Sequence, residues 1–334
     1  MAIAEPGASA AVPLAPHDWH AAAQIYDYRQ AANPVRPGLT APIPLQVWPP
    51  GPELRGPSGI HPCDLSTALG AAVVCTSPAL AAHRVRLRAG EALTAPALAT
   101  SSLFYVLEGS GQLIRPASHG DASDPTGVQP LHWGRGDLFV LPYGPDPLLQ
   151  AESDSLLYWV HDGPLLAHLG AVPSQPRFPA THYPASQMEA ELDALLADPS
   201  AARSNRLSVL LANRSCPASR TVTHTLWAML GLVPPGAAQP PHRHQSVALD
   251  LIIDCDPGCF TLVGTELAED GTIRNPQRID WEPGLVFVTP PGHWHAHGNG
   301  SARMARLLPI QDAGLHTYLR SLDIRFAGGL QANR

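Results

Sequence analysis

Along the chain, apolar and polar positions arrange themselves into short runs separated by turn residues. From about 68 to 165 the runs read "AAVVC", "HRVRLRA", "SLFYVLEGSGQLI", "GDLFVLP" and "LLYWV". From 206 onward they resume as "RLSVLLA", "THTLWAMLGLV", "ALDLIIDCD", "CFTLVGTEL", "GLVFVTP" and "ARMARLLPI". Runs of this length, bounded by Gly, Pro, Asn and Asp, predict strands spaced as in a sandwich or barrel. Two stretches have helical spacing. One is Asp18 to about Ala32, ending before Asn33-Pro34; the other is 186–205, "SQMEAELDALLADPSAARSN", a candidate linker helix. Residues 1–16 read as extended or disordered, 34–62 as an irregular Pro- and Gly-rich arm, and 115–130 as a polar loop.

The second set of strands repeats the first. "AGEALTAPALATSSLFYVLE" aligns without a gap on "PGAAQPPHRHQSVALDLIID", and "GRGDLFVLPYGPDP" aligns on "GLVFVTPPGHWH". The offsets are 146 and 148 residues, which is the signature of a tandem duplication. The expected organisation is an arm with a short helix over 1–67, a first β domain over 68–168, a helical linker over 169–205, a second β domain over 206–312, and a C-terminal segment over 313–334.

Composition narrows the class. A chain of 334 residues, 45% hydrophobic and 15% charged, is long enough for two globular domains. Its formal charge of −7 and its scattered basic residues give no nucleic-acid surface. No run of 18 apolar residues predicts a membrane span, and the N-terminus makes a poor signal peptide. Five cysteines are too few and too scattered for a disulfide framework, so the expectation is a cytoplasmic protein with reduced thiols.

The chemistry lies in the second repeat. His242 and His244 are spaced so that both point to one face of a strand. About fifty residues later comes Gly284-x5-Pro290-x-Gly292-x2-His295-x3-Asn299. Five of the 16 histidines fall within 242–244 and 293–297, which points to a metal site. In the first repeat the aligned positions carry Pro96, Leu98 and Pro147, none of them a ligand.

These two motifs resemble those of the cupin superfamily. The resemblance implies an all-β-dominated fold, two tandem cupin (jelly-roll β-barrel) domains with a few short helices. Many cupins add a Glu four or five residues after His-x-His; here those positions hold Ala248 and Leu249, so the expected ligands are three imidazoles, His242, His244 and His295. Imidazole suits Fe, Zn, Cu and Ni.

Over 205–312 the chain further resembles the gentisate 1,2-dioxygenase family, which includes salicylate and 1-hydroxy-2-naphthoate dioxygenases. The "THTL" segment, the His-Arg-His and the "WHAHGN" ending carry that likeness. It implies Fe(II), with Zn, Ni, Mn or Cu as alternatives, and ring opening of a hydroxylated aromatic acid by O2. It also implies a homo-oligomer, with the arm or "GLHTYLRSLDIRFAGGL" as segments to dock on a neighbour. His297 then stands as a group that hydrogen-bonds substrate or oxygen and moves protons, or as a structural hydrogen-bond partner. Trp227 and Trp294 flank the pocket or belong to the core; Gln245 contacts substrate or faces solvent.

The sequence departs from this family in four places. The metal site is in the C-terminal rather than the N-terminal cupin. Ala296 replaces the family's Asp, and Gln245 its Thr. Asp250 stands where the family has an arginine for the substrate carboxylate. Either Arg243, Arg206 or another cation supplies that charge, or Asp250 turns away and pairs locally, or the substrate differs. The open alternatives are another metal-dependent cupin (isomerase, lyase or hydrolase) and a non-catalytic metal- or ligand-binding bicupin.

Overall fold

A computed structural model describes residues 20–31, 38–115, 130–201 and 204–329. The expected extended segment 1–16 and most of the polar loop lie outside these residues. The chain divides into two compact units, Met1–Pro42 and Ile43–Arg334. In the first, the helix expected from Asp18 is only the turn α1 (Tyr28–Ala31), opened by Asp27, whose carboxylate accepts the backbone N–H of Arg29 at 3.0 Å. Ile25, Tyr26 and Tyr28 are exposed there, so no apolar face is buried to hold a longer helix.

The second unit is built of antiparallel sheets. In chain order it contains β1 (Val47–Trp48), β2 (Gly59–Pro62), α2 (Ser66–Leu69), β3 (Ala81–Leu87), β4 (Ala92–Thr94), β5 (Ser101–Glu108), β6 (Ser110–Ile114), β7 (Leu131–Gly134), β8 (Leu138–Pro142), β9 (Leu148–Ala151), β10 (Ser155–His161), α3 (Gly163–Leu169), β11 (Thr181–Tyr183) and α4 (Ala185–Ala197). The second half follows with β12 (Leu207–Leu211), β13 (Trp227–Val233), β14 (His242–Arg243), β15 (Ala248–Asp254), β16 (Cys259–Gly264), β17 (Gln277–Asp280), β18 (Val286–Thr289), β19 (Trp294–Asn299), β20 (Ala305–Gln311), α5 (Ala313–Leu319) and β21 (Arg325–Phe326). None of the described helices is long and apolar enough to cross a membrane.

Each repeat forms a barrel from one large and one small sheet. The first uses the order β11-β8-β5-β10-β3-β2 against β4-β9-β6-β7; the second uses β1-β18-β15-β20-β13-β12 against β17-β16-β19-β14-β21. Three cores result. Phe104, Phe139, Leu157 and Trp159 fill the first barrel. Val233, Ile252, Phe287 and Leu307 fill the second. Alternate residues of the same strands, among them Leu103, Val140, Tyr158, Leu230, Leu249, Val288 and Ile310, make a third core that joins the two six-stranded sheets back to back. This explains why β8, β10 and β18 read as nearly continuous apolar runs: both faces of these strands are covered. The duplication persists in backbone geometry. Gly90 and Gly236 both have left-handed φ (78° and 69°), as do Gly136 and Gly284 (88° and 87°).

Three further sequence readings change. "AAVVC" forms no strand; Ala71–Val74 is exposed. The arm is not one piece, because its second half supplies strands to both barrels. Val47 pairs opposite Phe287, and Ile60 opposite Val85. Likewise β21, in the segment considered for docking on a neighbour, pairs within its own chain, with Phe326 opposite His242.

Candidate metal centre

The second barrel gathers its histidines by strand pairing. His242 on β14 lies directly opposite His295 on β19, and His297 follows on the same face two residues later. Ring centroids are 3.9 Å apart for His242–His295 and 4.9 Å for His244–His295. One ligand nitrogen from each of His242, His244 and His295 lies within 4.8 Å of the others, the one such group among the described residues. All three are buried. Burial depresses the pKa of each, to about 4 for His244 and well below the usual value for His242 and His295. They are therefore neutral imidazoles at neutral pH, the form that binds a metal.

The hydrogen bonds of these rings fit a metal. His244 donates its Nδ1–H to the Ser246 carbonyl at 2.8 Å, and His295 donates its Nδ1–H to the His293 carbonyl at 3.1 Å. Each leaves its Nε2 lone pair free. The Nε2 of His244 is buried with no hydrogen-bond partner, an orphan that an ion would satisfy. Behind it, the Ser246 hydroxyl donates to Gln311 Oε1 at 2.8 Å and bridges that ligand to the cavity wall.

His242 is contacted at Nδ1 by two groups with opposite demands: the guanidinium of Arg206, and the His295 carbonyl at 3.3 Å. Guanidinium can only donate, so the first contact needs a lone pair on Nδ1. The carbonyl needs a proton there, which frees Nε2 for an ion. Arg206 thus competes with a metal for the state of His242.

Beside the histidines is a small cavity of about 20 Å³, with His242, His295, His297, Arg206 and Asp250 in its wall and Met229 and Leu307 as its apolar sides. Asp250 does not turn away. It is 2% exposed, and one of its oxygens accepts the Thr289 hydroxyl at 2.8 Å. Desolvation raises its pKa to about 7, against the pull of Thr289 and Arg206. Arg206 is lowered to about 9, chiefly by desolvation, and remains a cation at neutral pH. His297 lines the cavity and meets the Thr261 hydroxyl through Nδ1 at 2.9 Å.

Other candidate substrate contacts lie elsewhere. Strand alternation sends Arg243 and Trp294 to the face opposite the ligands, where the guanidinium stacks 5.2 Å from the indole centroid. Trp227 shares a strand face with Met229 but is outside the cavity wall, as is Gln245. Sequence reasoning did not find Thr261, Trp281, Thr289, Ser246 or Gln311. Gln311 was within reach of the repeat, since "QDAGLHTYL" aligns on "HDGPLLAHL".

Among the described residues, the first barrel has no counterpart to the histidine group. Pro96 and Leu98, at the aligned positions, are exposed, and Ala95, Ala97 and Ala99 line a small cavity of the first barrel with Pro147. The guanidinium of Arg115 also borders that cavity, donating to the carbonyls of Pro142 at 2.5 Å and Pro145 at 3.2 Å.

Two tandem barrels, with a three-histidine cluster in the second, give this chain a bicupin fold. It resembles the gentisate and salicylate dioxygenases. A gentisate 1,2-dioxygenase from Aquipseudomonas alcaligenes is 30% identical over 101 residues, which cover 30% of this chain and 26% of that enzyme. Salicylate 1,2-dioxygenase from Pseudaminobacter salicylatoxidans superposes over 92% of this chain and 94% of its own, with a TM-score of 0.67 at 14% identity. An oxalate decarboxylase superposes less closely, with a TM-score of 0.52 at 16% identity over 77% of this chain and 73% of its own. No family model matches the chain.

Proposed function

We propose that the protein is an Fe(II)-dependent ring-cleaving dioxygenase acting on a hydroxylated aromatic carboxylic acid of the gentisate or salicylate kind. The observation that carries this reading is the unsatisfied Nε2 of His244 within a group of three neutral imidazoles, beside a cavity that contains a cation. Held by His242, His244 and His295, ferrous iron would supply open positions for substrate and O2 and the electrons that let O2 react. Arg206 answers the charge problem raised by Asp250. Its guanidinium binds the substrate carboxylate, while the raised pKa of Asp250, about 7, leaves the opposing carboxyl only about half ionised at neutral pH. The free space is about 20 Å³, room for a water rather than a ring, so substrate entry draws Arg206 off His242 and returns that imidazole to its ligand state. Met229 and Leu307 then cover the ring and exclude water. The first barrel serves as scaffold through the shared core. The proposed setting is a cytoplasmic homo-oligomer, in keeping with five free, buried cysteines.

The test is anaerobic Fe(II) loading followed by O2 uptake with gentisate, salicylate and 1-hydroxy-2-naphthoate. Uptake with at least one acid, lost in His244→Ala, supports the reading; silence with all three sinks it. A second reading draws on the small cavity and Asp250: a metal-dependent lyase, isomerase or hydrolase for a smaller ligand. Turnover of such a ligand with zinc or nickel and without O2 would favour it.

A further inference from the structure

The four clustered histidines, three of which line the cavity, do not share one hydrogen-bonding pattern. His244 and His295 send Nδ1–H to backbone carbonyls, which only accept. His297 instead meets a hydroxyl, which can do either. Its partner Thr261 lies directly opposite it across β16 and β19, with Oγ1 2.9 Å from Nδ1. The same Oγ1 accepts the indole N–H of Trp281 at 2.8 Å. Trp281 is held in turn by its backbone N–H on the Cys259 carbonyl at 2.9 Å, and its ring lies 5.5 Å from that of His297.

The choice of tautomer follows from satisfying every buried group. Thr261 is fully buried, and among the described residues its hydroxyl meets only Trp281 and His297. Indole can only donate, so the hydroxyl accepts there. Its own proton has one remaining destination, Nδ1 of His297, which must then carry a lone pair. In the reverse arrangement Thr261 accepts two hydrogen bonds and its proton is buried without a partner, which costs more than a hydrogen bond returns.

We propose that Thr261, anchored by Trp281, is a positioning residue that holds His297 as the tautomer protonated at Nε2, so that this ring offers a donor to the cavity while its neighbours offer lone pairs. The arrangement makes His297 unsuited to be a fourth ligand, and it selects a ligand with an acceptor oxygen at that place. On the proposed function, that oxygen belongs to a hydroxybenzoate or to O2. The tautomer itself does not depend on that reading.

The test uses full-length protein with ¹⁵N in the histidine rings, metal-free and zinc-loaded, and long-range ¹⁵N–¹H correlation spectra. The His297 signals are assigned by their loss in His297→Gln. Wild type and Thr261→Ser should show protonated Nε2 and bare Nδ1. Thr261→Val should shift the ring towards protonated Nδ1. In the zinc-loaded protein, which is inert to O2, Thr261→Val should bind salicylate about tenfold more weakly and Thr261→Ser should not. A wild-type His297 protonated at Nδ1 overturns the proposal, and that spectrum decides even where Thr261→Val does not fold. An unchanged tautomer or unchanged salicylate affinity in folded Thr261→Val overturns it as well. Correct tautomers without O2 uptake would contradict the dioxygenase reading alone.

Discussion

Asp250 accepts the hydroxyl of Thr289 at 2.8 Å and lines the cavity that Arg206 also borders. A buried acid is thus held beside a buried base, with one neutral donor attached. The acid is not a full counter-charge, because desolvation outweighs both neighbours and raises its pKa to about 7.

Stability should carry the mark of that shift. A carboxyl whose folded pKa is raised binds more protons folded than unfolded between its model value of 3.8 and about 7. Its contribution to stability is therefore lost as pH rises through that window. The buried histidines, with lowered pKa values, give the opposite slope below about pH 6.5, so the comparison must be between proteins. In metal-free protein, Asp250→Asn should gain stability relative to wild type from pH 4 to pH 8, by on the order of 3 kcal/mol. Parallel denaturation curves with a constant gap would contradict this.

Arg206 should have opposite effects on metal and substrate. In Arg206→Leu, a cation no longer competes at His242, and the site should bind Zn²⁺ or Fe²⁺ more tightly. The same change should weaken binding of an aromatic carboxylate by roughly 2–5 kcal/mol, the usual effect of removing one partner of a buried charge pair. Metal titration and ligand titration of the same preparation read the two effects. A loss of both affinities would mean that Arg206 only supports the fold.

The two barrels should differ in metal content. Elemental analysis after anaerobic loading should give one ion per chain for wild type and none for His244→Ala. The aligned positions of the first barrel hold Pro96, Leu98 and Pro147, none of which offers a ligand, and the cavity there is lined by alanines and Arg115. Two ions per chain would contradict the account of a silent repeat.

What the sequence revealed and what it hid have a common physical cause. Strand runs were legible because burial on both faces makes them nearly continuously apolar, and His-x-His was legible because alternation puts both rings on one face. The partners of those rings were not. Thr261 meets His297 across 36 residues and Thr289 meets Asp250 across 39, through strand registers that no local pattern specifies. "AAVVC" has the residues of a strand, but Ala71–Val74 is exposed and forms none.

The most direct measurement is the fate of ¹⁸O₂. Iron-loaded protein is given the best acid of the panel under labelled O2, and the product is analysed by mass spectrometry. The account predicts a ring-opened product carrying both labelled atoms, and no product from His244→Ala. Product without label, or with oxygen taken from water, would contradict it.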